Sequence, residues 1–136
     1  MHAIPLTILP LILYNVVVFA LAGSLPPDPW SAEIFGVTMV SGTRFSFSLG
    51  HLTIALGLVL LFFEIFRSTR SSSATIVNHM VSTLVLVAYV LEFVLVGAAA
   101  HPVFLILTLI ALFDVMAGFT ISIRTAARDI SFDNGV

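Results

Sequence analysis

Glu64, Glu92 and Asp114 each stand inside a long apolar stretch of the chain, at depths where neither lysine nor arginine stands with them. An ionised side chain in hydrocarbon costs about 3 kcal/mol or more unless it is paired, hydrated or neutralised. Three kinds of chemistry would keep such acids. They could relay protons or ions, hydrogen-bond to neutral partners, or face water or another subunit. Depth along the apolar stretches suggests their neighbours. Asp114 lies near the middle of the last stretch, level with Tyr14 and Asn15 in the first, so an Asp114–Asn15 or Asp114–Tyr14 hydrogen bond is the leading pair. Glu64 lies about one turn from the end of its stretch, level with Asn78 and His79, and Arg67 stands three residues on as a local pair. His79 beside Asn78 and Glu64 would make a proton-handling group, or a satisfied interfacial histidine. Glu92 lies toward the opposite side, level with Ser46, Gly50 and His51.

The four histidines invite a cofactor reading. Only His51 and His101, both on the outer side, could meet, so a bis-His haem b would have to use them, while quinone binding stays open through His, Tyr and Asp near an interface. His51 points roughly 140° from the small-residue face of its own helix at about 100° per residue. His101 precedes Pro102 in a turn, where a solvated imidazole is ordinary. A third ligand at suitable depth is missing, so a zinc site is not expected. His2 is read as simply N-terminal.

The elements that carry these residues are membrane spans. Of 136 residues, 60% are hydrophobic and 9% charged, with a mean hydropathy of +1.18. Soluble domains carry about 25% charged residues, so a soluble or disordered chain is excluded. A span needs about 20 apolar residues to cross about 30 Å of hydrocarbon. Four stretches qualify, at residues 4–22, 45–66, 74–98 and 102–123. Short connections make neighbours antiparallel, so the expected fold is all-α: one domain, an up-down four-helix membrane bundle. Pro5 fits a helix start, and Pro10 should kink the first helix. The string Ala20–Ala22 resembles a leader cleavage site, but residues 1–5 lack a basic segment, so the first span reads as a retained helix.

Arginine sets the expected orientation. Arg67 and Arg70 follow the second span, Arg124 and Arg128 follow the fourth, and Arg44 stands alone on the other side. The positive-inside rule then places both termini in the cytoplasm of a bacterial inner membrane. The long first connection, residues 23–44, would face outward as an ordered loop. Alternatively, Trp30, Phe35, Val37 and Met39 form an amphipathic or re-entrant piece at headgroup depth. The tail from Arg124 is amphipathic, with Arg128 and Asp129 on a solvated face.

Helical phase groups the small and polar residues. Asn78, Ser82, Tyr89 and Glu92 share an arc of roughly 80° on the third helix. Ser46, Gly50, Thr53, Gly57 and Glu64 share roughly 60° on the second, and Ala111, Asp114, Gly118, Ser122 and Thr125 about 80° on the fourth. Such faces let membrane helices approach closely and should converge on the interior.

The chain holds neither cysteine nor lysine, which removes disulfides, thiolate metal sites and lysine-dependent phosphate or Schiff-base chemistry. The net charge of −2, without a basic cluster, argues against nucleic acid. The stretches Ile8–Asn15, Val37–Gly42, Leu61–Glu64, Phe113–Val115 and Ser122–Ala126 resemble those of uncharacterised small four-span bacterial inner-membrane proteins, a likeness that implies the fold and carries no activity. Pro29–Glu33 is similar to the small four-helix subunit of TRAP-type transporters; the following residues depart from that family, and no function comes with it. The expected function is a non-catalytic accessory or scaffold subunit among other integral membrane subunits, or a homo-oligomer. A proton- or ion-coupled transport or channel module using the carboxylates is the alternative, and haem or quinone binding a further one.

Overall fold

The computed structural model describes residues 4–70 and 73–133. It is mostly helical, at 73%. Three helices are long and apolar enough to cross a membrane: α2 (Leu49–Ser68), α3 (Ser73–Leu95) and α4 (Pro102–Asp133). Both α2 and α3 pack along α4, and a shorter helix, α1 (Ile8–Asn15), packs against α2 and α4. The expected inward faces turn inward in part, with Glu92, Ser122 and Thr125 only half-buried. Gly50, Thr53, Gly57 and Glu64 on α2 are buried, as are Asn78, Ser82 and Tyr89 on α3 and Ala111, Asp114 and Gly118 on α4. The opposite flanks expose Leu, Val and Phe, the surface lipid requires.

The first expected span differs. Helix α1 is an α-helix at Ile8–Asn15 continued by a π-helical turn at Val16–Ala20. At about 1.5 Å per residue it is roughly 20 Å long, short of the hydrocarbon thickness. Because it begins at Ile8, Pro10 falls in its first turn, where a missing N–H leaves no bond broken. Residues 4–7 form a turn instead, with the Ile8 N–H on the Pro5 carbonyl.

The fold is also not wholly helical. Glu33–Thr38 (β1) and Arg44–Ser48 (β2) form an antiparallel hairpin, joined by a turn in which Gly42 takes φ +82°. That left-handed angle suits glycine alone at little cost. The second span therefore starts at Leu49 rather than Phe45, and Ser46 lies in an exposed strand, off the buried face of α2. Phe35 pairs with Phe47 and Val37 with Phe45, which puts an apolar set on one face. Phe35 and Phe47 stack at 5.1 Å. On the other side Glu33 accepts from Arg44 and from Ser46 Oγ.

Trp30 is buried within the protein rather than displayed on its surface. It is 3% exposed and caps the bundle at the hairpin end, stacked on Tyr14 at 4.5 Å. Asp28 caps its short 3₁₀ turn. Gly50 makes room for it, since a Cβ there would stand 3.0 Å from the Trp30 carbonyl and 2.9 Å from Val103. At the far end α4 runs on as a helix through the tail, with Arg128 and Asp129 exposed.

Candidate functional site

The polar residues of the three inward faces meet toward the end of the bundle remote from the hairpin. Glu64 is fully buried and accepts from three groups. Arg67 donates to both its oxygens at 3.0 and 2.9 Å, Asn78 Nδ2 donates to Oε1, and the Leu6 N–H donates to Oε2 at 3.0 Å. Leu6 precedes α1, so its N–H has no helical acceptor and is free for this bond. Arg67 Nη2 also reaches the Ile4 carbonyl at 2.8 Å and Asn78 Oδ1 at 2.9 Å. That one nitrogen shares its two hydrogens among several acceptors. Its side chain stays one-third exposed, an arginine snorkelling to the surface while holding a buried acid. Glu64 therefore has a cation after all. The local pair with Arg67 is extended by Asn78 and by the chain before α1 into a clasp that ties residues 4–6, α2 and α3 together.

Asp114 sits one layer deeper and is buried. Thr7 Oγ1 donates to its Oδ2 at 3.2 Å, and Ser82 lies beside the same carboxylate with its Oγ outside hydrogen-bond geometry. The expected partners are elsewhere. Asn15 bonds back to the Leu11 carbonyl of its own helix. Tyr14 donates to the Ala98 carbonyl at 2.7 Å, near the hairpin end. The cause is the late start of α1, which puts Thr7, rather than a mid-span residue, at the level of Asp114. Thr7 is the residue sequence reasoning missed. Its hydroxyl makes no helix cap and is spent on Asp114, while its carbonyl accepts from Tyr89 at 2.9 Å. A threonine directly before an apolar helix is the signal that would have marked it.

The remaining candidates are not joined to the clasp by hydrogen bonds among the described residues. His79 is buried with Nε2 unpartnered, and its ring fills the space over Gly118, where a Cβ would meet Nδ1 at 2.3 Å. Glu92 is half-buried, and its Oε1 has no partner among the described residues. The carboxylates thus form one clasped acid, one acid on a hydroxyl and one acid half free.

His51 and His101 do line one groove, at the hairpin end. Each uses Nδ1 to accept a backbone N–H, from Ser48 at 3.0 Å and from Val103 at 3.1 Å. In a neutral ring that puts the proton on Nε2. A haem-ligating histidine has the reverse polarity, donating from the nitrogen that does not bind iron. Among the described residues no group of three His, Asp or Glu side chains could hold a metal ion.

Comparison with family models, curated proteins and solved structures finds no match for this chain.

Proposed function

We propose that this chain is a non-catalytic accessory or scaffold subunit of a larger complex in a bacterial inner membrane. In this reading the short α1 is a fourth membrane helix and both termini face the cytoplasm. Arg67, Arg70, Arg124 and Arg128 gather at one end against Arg44 alone at the other, which supports that orientation. The observation that carries the subunit reading is the hairpin. A two-stranded sheet is marginal alone in water. This one leaves β1 exposed along its whole length, with Phe35, Val37, Met39 and Phe45 each about half exposed. Apolar patches of that kind mark interaction surfaces. The interior clasp, by contrast, commits its groups to fixed partners, as a structural element does.

Gentle-detergent purification from the native membrane, followed by mass spectrometry, tests the reading. A stoichiometric integral-membrane partner is expected, and it should be lost from the combined Phe35→Ser, Phe45→Ser and Phe47→Ser variant. A lone monomer or homo-oligomer counts against it. Orientation is tested separately with Ser41→Cys, in a chain that has no other cysteine. A membrane-impermeant maleimide should label it from outside intact spheroplasts.

A second reading, a proton- or ion-coupled module, is favoured by Asp114 on a hydroxyl and by the unpartnered Glu92 Oε1 and His79 Nε2. Proton flux into liposomes that is unchanged by Asp114→Asn and Glu92→Gln would remove it.

A further inference from the structure

The groove between the start of α2 and the start of α4 has a volume of about 530 Å³. Ligand sites typically span about 300–1,000 Å³. Its lining changes character along the helices. Ile54 and Ile106 lie about one turn into α2 and α4, and with Val103 near the start of α4 they make an apolar wall. Asp28, His51 and His101 make a polar part at the hairpin end. A groove with an apolar wall and a polar rim, at the end of a membrane bundle, suits an amphiphile.

The polar part narrows the headgroup. With Nδ1 of each histidine accepting a backbone N–H, His51 and His101 each carry a donor at Nε2. Asp28 supplies the opposite character, a carboxylate 3.4 Å from His101 Nε2. No arginine or lysine lines the groove. A purely anionic headgroup would meet Asp28 with no cation to offset the repulsion. An uncharged headgroup such as a quinone would satisfy the imidazole donors but offer no cation to the Asp28 charge, whose Oδ1 accepts from the Trp30 N–H. A zwitterion satisfies both, with phosphate oxygens accepting from the imidazole N–H groups and an ammonium donating to Asp28.

We infer that this groove binds the headgroup of a zwitterionic phospholipid bearing a primary amine, with its acyl chains leaving along Ile54 and Ile106. The site goes beyond the subunit reading and needs only the membrane placement of α2 and α4.

Native mass spectrometry after reconstitution into vesicles of equal phosphatidylethanolamine, phosphatidylcholine and phosphatidylglycerol tests it. The unmodified chain should retain one phosphatidylethanolamine in preference to the other two. Asp28→Asn keeps an N-cap for the Trp30 turn and removes the charge, and should cut retention about fivefold, as for loss of a partly exposed ion pair. His51→Glu keeps the capping box with Ser48 and replaces a donor by an anion, and should lower retention as well. Trp30 emission unchanged from the parent shows that each variant keeps its fold. Equal retention of the three lipids, or phosphatidylethanolamine retention undiminished in either folded variant, overturns the proposal.

Discussion

At the residue scale the clasp is a charge problem with a definite energetic sign. Glu64 is buried against Arg67, and removing one partner of such a pair leaves an uncompensated charge. Arg67→Ala is expected to cost about 3 kcal/mol of stability. Adding Glu64→Gln to it should restore part of that loss, because the glutamine carbonyl still accepts from Leu6 and leaves no buried charge. Unfolding measured by steric trapping checks both, and a double variant weaker than Arg67→Ala would contradict the clasp. Glu33 carries a second prediction. Hydrogen bonds from Ser46 and then Arg44 hold its carboxyl below the usual carboxylate range. A carboxyl lowered on folding stabilises above its unfolded pKa and loses that contribution as pH falls through the folded one. Hydrogen-exchange protection of the hairpin amides, corrected for the intrinsic pH dependence of exchange, should therefore fall under acid, and Glu33→Gln should abolish that fall. The Glu64–Arg67 spacing was legible in the sequence. The reach of Leu6 and Thr7 was not, because both depend on where α1 starts.

At the element scale the hairpin was written in the residues and obscured by hydropathy. Arg44 to Ser48 alternates polar and apolar strictly, the period of a strand. Phe45 and Phe47 nevertheless raise the hydropathy of the following span, so the helix looks four residues longer than it is. The π turn at the end of α1 left no such trace, since Val16–Ala20 is as apolar as the helix before it. Close approach, on the other hand, follows directly from glycine. Gly50 admits the Trp30 backbone and Val103, and a backbone carbonyl cannot move aside as a side-chain tip can. Gly50→Val should cost roughly 1–3 kcal/mol by overpacking and shift Trp30 emission to the red as the cap lifts. Unchanged emission and stability would show that Trp30 is not seated there.

At the scale of the whole molecule, composition decided the class and helical phase decided the inside. The small-residue faces of α2, α3 and α4 point inward because Gly and Thr let apolar helices approach in a solvent that gives them no hydrophobic drive. Which polar groups meet was harder to read. The apolar stretch begins at Ile4 but α1 starts at Ile8, so Tyr14 and Asn15 lie nearer the hairpin end than the middle of that stretch implies. What covers the apolar hairpin face decides between a subunit and a solitary chain. The most direct measurement is a photo-crosslinking amino acid at Val37, activated in the native membrane. A single heterologous integral-membrane protein should be captured. Crosslinks to lipid or to the chain itself alone would contradict the subunit reading.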